Sequence, residues 1–288
     1  MANTDIGIDL GTSNIVMTMG NKGVILSEPS VIAYNIRTER VLAVGKEAYE
    51  MIGRNPDYIA VKRPISEGVI SDDDLAHSMI REFILKVTGH QLVKPRIIIC
   101  IPSFITDIES RAVVEAAKSA GSRQVYLIQE PIAAMIGAGV NITKAKGHMI
   151  VDIGGGTTGL AIFKDGKVTQ IYDEPTGGTH VTLVLAGNQR ISIDEAEAIK
   201  MDYARHKEIM PIIRPVIEKM ASIVIRHIDP SATDTIYLCG GTSCLTDIEK
   251  VFKKVTGIET IKPADPFLVT PAGIAANCIL DNETEEEY

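Results

Sequence analysis

Two short segments combine an acidic residue with glycines and hydroxyl side chains. The first, which we call turn 1, is Asp9-Leu10-Gly11-Thr12-Ser13-Asn14, and turn 2 is Asp152-Ile153-Gly154-Gly155-Gly156-Thr157-Thr158. Glycine lets backbone N–H groups approach phosphate oxygens closely, and the flanking hydroxyl groups add donors. An aspartate at the end of a strand can hold a divalent cation or its waters. Both turns therefore predict contacts with a nucleotide triphosphate and its metal ion.

Each turn lies between two apolar runs. Ile6-Gly7-Ile8 precedes turn 1, Met149-Ile150-Val151 precedes turn 2, and a second apolar run follows each. This context predicts a strand-turn-strand hairpin in each half of the chain. One such turn alone is more typical of an ordinary hairpin. Two with the same order of residue types favour a clamp, in which the two turns face each other across a nucleotide.

The composition is that of a soluble globular protein with one or two domains. The chain has 288 residues, of which 45% are apolar and 23% charged, within the usual range for such proteins. No stretch approaches the ~18–20 apolar residues that a membrane span needs. The first residues lack the basic and apolar regions of a signal peptide. We therefore expect a cytoplasmic protein.

Charge and cysteine content argue against two further kinds of function. The net charge is −8, and five of the acids lie in the last eight residues, 281–288, which form an acidic tail. This balance does not indicate a nucleic-acid partner. The four cysteines have no CxxC spacing, so we expect reduced packing residues and no zinc site.

Apolar runs and capping signals in the first half alternate between strand and helix. Predicted strands cover 14–18, 24–34, 41–45, 96–101 and 124–129. Predicted helices cover 71–89, 106–121 and 130–139. The helix at 106 begins with a capping box formed by Thr106 and Glu109. This order of elements predicts an α/β sheet with helices outside it.

The second half begins with strands and continues with helices. Predicted strands lie within 148–173, which holds three, and at 234–239; predicted helices cover 179–189, 193–205, 211–228 and 246–256. Pro211 and Pro215 either fit the first turn of the long helix, which is predicted to begin near residue 211, or mark a staggered start. The polar joint at 144–147 divides the chain into an N-terminal lobe, 1–146, and a C-terminal lobe, 147–280.

Residues 5–165 resemble the bacterial actin family MreB. The segments that carry the resemblance occur in the same order, and they include Glu28-Pro29-Ser30-Val31, Arg63-Pro64-Ile65, Gly68-Val69-Ile70, Glu130-Pro131 and turn 2. The resemblance implies the superfamily of actin, sugar kinases and heat-shock chaperone ATPases. It implies a duplicated actin-like, ribonuclease-H-like α/β fold with two lobes around a nucleotide cleft, and a small subdomain inserted at about 24–70.

The C-terminal half is similar instead to EutJ, an ATPase-domain relative encoded with ethanolamine-utilising microcompartments. The similar segments are Thr176–His180, Leu185–Asn188, Ile191–Glu197 and Arg214–Ala221. Two departures from the MreB pattern are evident. Thr179 stands where that family has an acid, and about ten residues, 201–210, stand where it inserts a small β-subdomain. The second upper subdomain is therefore expected to be reduced or missing.

The resemblance implies ATP and Mg²⁺ as ligands. Asp9 and Asp152 would organise Mg²⁺ through its waters. Phosphate contacts would come from Gly11, Thr12, Ser13, Asn14, Gly154, Gly155, Gly156 and Thr157. Thr157 and Asp152 would take part in catalysis with Glu130, which would orient the attacking water. From the residues alone, Glu130 could instead be a helix-dipole partner at the start of its helix.

Further nucleotide contacts are implied downstream. They involve Gly178, Gly240, Gly241 and Thr242, the last of which replaces a third glycine in the turn beside the adenine. Glu197 would accept hydrogen bonds from the ribose, and the stem of Lys200 would pack on the base. The alternative for these two residues is an exposed ion pair between positions i and i+3 of a helix.

Two functions remain open. One is an MreB-like ATPase whose nucleotide state controls self-assembly into a filament or dimer. The other is an EutJ-like monomeric ATPase that acts as a chaperone or assembly factor on a protein client. Leu92 and Val93, in the loop 89–95, would either touch the inner face of the membrane or cap the core beneath the loop. A small-molecule kinase is disfavoured because no acidic base for a substrate hydroxyl is evident.

Overall fold

The computed structural model describes residues 5–19, 22–66, 69–89, 94–101, 105–140, 147–164, 167–228 and 233–280. The strands are β1 (Ile6–Leu10), β2 (Asn14–Met19), β3 (Val24–Pro29), β4 (Ile32–Asn35), β5 (Val41–Val44), β6 (Ile59–Lys62), β7 (Ile65–Ser66), β8 (Val69–Ile70), β9 (Arg96–Ile101), β10 (Gln124–Gln129), β11 (His148–Ile153), β12 (Thr158–Lys164), β13 (Lys167–Glu174), β14 (Thr235–Cys239) and β15 (Glu259–Ile261). The α-helices are α1 (Lys46–Tyr49), α2 (Asp73–Thr88), α3 (Asp107–Ser119), α4 (Glu130–Gly137), α5 (Gly178–Gln189), α6 (Ile193–Met201), α7 (His206–Arg226), α8 (Ile248–Thr256) and α9 (Val269–Leu280). Among these residues, none of the helices combines the length and apolarity of a membrane span.

Two five-stranded sheets repeat one strand arrangement. The first has the order β10-β9-β1-β2-β3, and the second, read from its other edge, has the matching order β15-β14-β11-β12-β13. In each sheet an antiparallel hairpin is joined to parallel strands on one side. Turn 1 connects β1 to β2 and turn 2 connects β11 to β12, so the prediction of one hairpin built twice is confirmed.

The described chain divides into two compact units. The first unit contains residues up to Ala133 and from Pro271 onward, and the second unit contains Ala134–Thr270. Most of α9 belongs to the first unit because Ile274 packs against Ile98 and Cys100 of β9. These boundaries differ from the predicted lobes, which place the whole of α9 in the C-terminal half.

The core of the first unit lies around β9, whose residues from Ile97 to Ile101 are all buried. This agrees with a central strand covered on both faces. Helices α2 and α3 cover one face, and the predicted capping box at the start of α3 is present. The predicted strand 24–34 is divided at Ser30. Its first part, β3, joins the large sheet, and its second part, β4, joins the small sheet β5-β4-β6.

The core of the second unit lies between its sheet and helices α5, α7 and α8. Helix α7 begins at His206, so the predicted start near residue 211 is wrong, and both prolines lie inside the helix. The helix tolerates them because its apolar face is buried along its whole length, including Ile209, Ile213 and Ile217. Only residues 202–205 connect α6 to α7, and they form a single 3₁₀ turn. This agrees with the prediction that the second upper subdomain is reduced or missing.

Candidate functional site

Turn 1 lies where the backbone has little room for side chains. A Cβ atom added to Gly11 would lie 2.5 Å from the Asn14 carbonyl oxygen, so the turn closes tightly only with glycine here. The Gly11 carbonyl accepts a hydrogen bond from Ser30 Oγ at 2.6 Å. The Ser13 carbonyl accepts from the Ser30 N–H at 3.0 Å and from Arg63 Nη1 at 3.2 Å.

Asp9 and Glu130 lie at the same edge of the first sheet. Asp9 pairs with Cys100 in the parallel ladder between β1 and β9, and Gln129 pairs with Ile101 in the ladder between β9 and β10. Glu130 directly follows β10 and begins α4. The carboxyl ends of parallel strands form the edge at which α/β proteins bind ligands. The structure therefore brings Asp9, turn 1 and Glu130 to one edge of the first unit.

Turn 2 is held by the start of α5 and by the segment after β14. The Gly154 carbonyl accepts hydrogen bonds from the Gly178 N–H at 2.9 Å and from Thr242 Oγ1 at 2.8 Å. The Gly155 carbonyl accepts from both the N–H and the hydroxyl of Thr179, each at 2.8 Å. Thr179, which stands where the MreB pattern has an acid, thus makes contacts with turn 2 that the sequence did not reveal.

Asp152 is buried at the end of β11, with 9% of its surface exposed. Its Oδ2 atom accepts a hydrogen bond from Thr270 Oγ1 at 3.1 Å and lies 3.4 Å from Cys239 Sγ. Burial raises the pKa of this carboxyl, and the two neutral hydrogen bonds offset only part of that effect. Sequence reasoning missed Thr270 and Cys239, because no local pattern marks a side chain whose role is to contact a distant acid.

Gly240 and Gly241 form a tight turn after β14. Gly240 has φ 85° and ψ 163°, a combination that is almost exclusive to glycine. A Cβ atom on Gly240 would overlap Asp152 Oδ1 and would lie 2.6 Å from the Ile153 carbonyl oxygen. The glycine thus allows the segment after β14 to approach the carboxylate that ends β11.

Glu197 and Lys200 form the ion pair that sequence analysis left as the alternative. Lys200 Nζ lies 2.7 Å from Glu197 Oε2, and it also donates to Thr182 Oγ1 at 3.0 Å and to the Gly178 carbonyl at 3.3 Å. The side chain of Lys200 is 11% exposed and that of Glu197 is 47% exposed. The pair is therefore attached to the start of α5 beside turn 2, and nucleoside contacts by these residues stay a prediction.

The donor set suits Mg²⁺ bound through water. The described residues contain no group of three or more His, Cys, Asp or Glu side chains arranged to hold a metal ion. Mg²⁺ commonly keeps several waters and uses one or two carboxylates together with substrate phosphates. Asp9 and Asp152 each supply one carboxylate near a strand end beside a glycine turn, and each of them fits that mode.

The structure places the other predicted residues in two groups. Turn 1, Asp9 and Glu130 belong to the first unit, whereas turn 2, Asp152 and the downstream nucleotide residues belong to the second. Cys100, Cys239 and Cys244 form no disulfide in the described part of the chain. Leu92, Val93 and the acidic tail lie outside the described residues.

Two family models match the chain. The model described as MreB/Mbl protein matches residues 3–186, and the model for cell division protein FtsA matches residues 149–276. The chain is 47% identical to the cell shape-determining protein Mbl of Bacillus subtilis over 57% of its length, which is 50% of that relative. It is 31% identical to the cell shape-determining protein MreB of Escherichia coli, with 95% of this chain and 92% of that relative covered.

Two solved structures support the same assignment. The structure of MreB5 of Spiroplasma citri bound to ADP matches with a TM-score of 0.79 and 27% identity. The match covers 93% of this chain and 94% of the MreB5 chain. The ethanolamine utilization protein EutJ of Carboxydothermus hydrogenoformans has a TM-score of 0.67 and 35% identity, with coverages of 94% and 88%. The MreB/Mbl model spans more than half of the chain. The chain therefore belongs to the MreB/Mbl family and has its duplicated actin-like α/β fold.

Proposed function

We propose that this chain binds Mg·ATP through both turns, hydrolyses it slowly and uses its nucleotide state to control self-assembly. The observation that carries the proposal is the repetition of one acid-and-glycine turn at equivalent places in two matching sheets. Two structures of one relative support it, since MreB5 of Spiroplasma citri was solved with ADP and with AMPPNP. That the two turns face a common nucleotide is part of the proposal.

Each group has a proposed role that follows from its chemistry. The N–H groups of turns 1 and 2 bind the phosphate oxygens, and Mg²⁺, when bound, neutralises their charge. Asp9 and Asp152 hold the waters of that ion. Glu130 orients the attacking water at the edge of the first sheet. Phosphoryl transfer depends mainly on positioning the reactants and on neutralising charge. A slow ATPase therefore needs no nucleophile other than the water.

Calorimetry tests the binding step directly. We expect the chain to bind Mg·ATP, and we expect Asp152→Asn to abolish that binding while the fold remains. This substitution is preferable to charge reversal because the carboxylate is buried beside Gly240, where a longer side chain would disturb the turn. A wild-type chain without affinity for Mg·ATP, or a variant with unchanged affinity, would contradict the proposed site.

Self-assembly is tested separately. In the second unit, four residues connect α6 to α7, so no subdomain there contributes to a longitudinal contact. A smaller interface raises the concentration at which filaments form without preventing them. We expect ATP-dependent pelleting, and filaments in negative-stain images, only at high protein concentration. The controls are ADP in place of ATP and the Asp152→Asn variant.

The alternative function is an EutJ-like monomeric ATPase that acts on a protein client in the cytoplasm. The same short connection favours it, as does the 35% identity to EutJ over most of the chain. A chain that binds Mg·ATP and remains monomeric at every concentration would favour this alternative. Binding to vesicles of anionic lipid, compared with a Leu92→Asp variant, tests whether the loop 89–95 contacts the inner membrane face.

A further inference from the structure

A buried hydroxyl group from outside each turn donates a hydrogen bond to a carbonyl group within it. In the first unit, Ser30 Oγ donates to the Gly11 carbonyl at 2.6 Å. In the second unit, Thr242 Oγ1 donates to the Gly154 carbonyl at 2.8 Å. Ser30 is 0% exposed and Thr242 is 5% exposed. The same type of contact therefore occurs in both copies of the duplicated fold.

We propose that Ser30 and Thr242 are positioning residues that hold the two turns in their anion-binding form before any nucleotide is present. The inference rests on the function proposed above. A carbonyl oxygen that turned toward a phosphate would repel it, since both groups only accept hydrogen bonds. A carbonyl held by the protein cannot turn in this way, so the N–H groups of the turn remain oriented for the ligand.

Two carbonyl groups of turn 2 each have two donors, and the Gly154 N–H donates to the Thr157 carbonyl at 3.0 Å within the turn. The Gly154 carbonyl accepts two hydrogen bonds, from Thr242 and from the Gly178 N–H. The Gly155 carbonyl also accepts two, both from Thr179. Within the described chain, the Gly155 N–H group donates no backbone hydrogen bond in this turn. The arrangement directs carbonyl groups toward the protein and leaves this amide for an anion.

In turn 1, Ser30 makes two of the hydrogen bonds to the backbone, and Arg63 makes a further one to the Ser13 carbonyl. Ser30 donates its hydroxyl to the Gly11 carbonyl and its N–H to the Ser13 carbonyl. These two bonds coincide with the break between β3 and β4. Ser30 therefore lies between the end of β3 at Pro29 and the start of β4 at Ile32, where it bonds to turn 1 through both its hydroxyl and its N–H.

Ser30 and Thr242 differ from Thr179 in that they are buried. The hydroxyl of Thr179 also reaches turn 2, but this residue is exposed, so water can replace the bond when it is removed. At Ser30 and Thr242 water cannot enter without a local opening, and a lost hydroxyl leaves a buried acceptor with fewer donors. Only the two buried residues are therefore expected to hold their turns.

The test compares each positioning residue with a matched control in its own unit. The test variants are Ser30→Ala and Thr242→Val. The controls are Thr88→Val and Thr256→Val, each of which removes a buried hydroxyl bond of 2.8 Å to a helix carbonyl away from the turns. Thr256→Val also removes the acceptor of the Ile258 N–H, so its loss of stability should be at least as large as that of the test variant. Three properties are measured: the stability without nucleotide, the amide exchange rates of both turns, and the affinity for Mg·ATP by calorimetry.

We expect Thr242→Val to speed amide exchange in turn 2 and to weaken Mg·ATP binding by roughly tenfold, the effect of one buried hydrogen bond. Thr256→Val should lose at least as much stability with neither change, and Thr242→Ser should restore both properties. Ser30→Ala should affect turn 1 in the same way, relative to Thr88→Val.

Two results would overturn the inference: unchanged exchange in both turns of the test variants, or equal changes in the controls. Because exchange is measured without nucleotide, it tests the inference independently of binding. Faster exchange in a chain whose wild type does not bind Mg·ATP would support the holding role and refute the proposed function.

Discussion

Gly240 offers a quantitative test of the close approach between β14 and Asp152. Its φ and ψ lie in a region that costs other residues about 1–3 kcal/mol. An added Cβ would also overlap Asp152 Oδ1 and the Ile153 carbonyl, and relieving such overlap typically costs a further ~1–3 kcal/mol. We therefore expect Gly240→Ala to lower the free energy of unfolding by about 2–6 kcal/mol.

Gly257 provides the matched control in the same unit. It also has a positive φ, 74°, but a Cβ there would meet no atom within 4 Å. Gly257→Ala should therefore cost only the strain of the left-handed conformation, about 1–2 kcal/mol. Because Gly257 has ψ 1° and Gly240 has ψ 163°, the difference between the two variants measures the contacts around Gly240 together with the additional strain of its backbone conformation.

Urea denaturation gives both values, provided that the slope of the unfolding free energy against urea is unchanged. Calorimetry at a temperature where both variants are folded gives the affinity for Mg·ATP. We expect Gly240→Ala to lose this affinity because Asp152 must move, whereas Gly257→Ala retains it. Equal losses of stability in the two variants, or full affinity in Gly240→Ala, would refute the reasoning.

Three further predictions concern single side chains. Asp152→Asn should raise the free energy of unfolding at pH 7 by about 0.5–2 kcal/mol, because burial raises the pKa of the wild-type carboxyl. This gain should vanish below about pH 4, because the wild-type carboxyl is then protonated in both the folded and the unfolded state. Glu130→Gln should slow hydrolysis by roughly 10²–10⁴-fold with little change in affinity, and a wild-type rate would make Glu130 structural. Thr106→Ala should cost about 1 kcal/mol. Hydrogen bonds from Thr106 lower the pKa of Glu109. The stability lost in Thr106→Ala should therefore be largest above the ordinary pKa of Glu109 and should decrease as the pH falls through the lowered pKa. Denaturation measured across pH tests this dependence.

Local sequence patterns were sufficient to predict those elements whose structure depends on neighbouring residues alone. The glycine and acid of each turn, the continuous apolar run over 96–101 and the capping box at Thr106 all have direct local meaning, and the structure confirms these elements. The repetition of the turns was also visible, because it needs only two similar segments and no knowledge of their contacts.

Contacts between distant segments explain what the sequence did not reveal. The segment 24–34 gives no sign that Ser30 bonds to turn 1, although Pro29, where β3 ends, was a local signal for its division that was overlooked. The start of α7 was misplaced because the prolines were read locally, whereas its buried face stabilises the helix through them. Thr270 contacts Asp152 across 118 positions of the chain, a relation that spacing cannot indicate.

The short connection between α6 and α7 leaves turn 2 intact, because both ends of the connection are closed by local bonds. His206 Nε2, at the start of α7, lies 2.9 Å from the carbonyl of Lys200 in the last turn of α6. Lys200 Nζ reaches the Gly178 carbonyl, and the Gly178 N–H donates to the Gly154 carbonyl in turn 2. The short connection at residues 202–205 therefore keeps these bonds to turn 2, and under the proposed function it reduces only the surface available for self-assembly. We infer that nucleotide binding and self-assembly are separable in this chain, so a failure to form filaments would not argue against Mg·ATP binding.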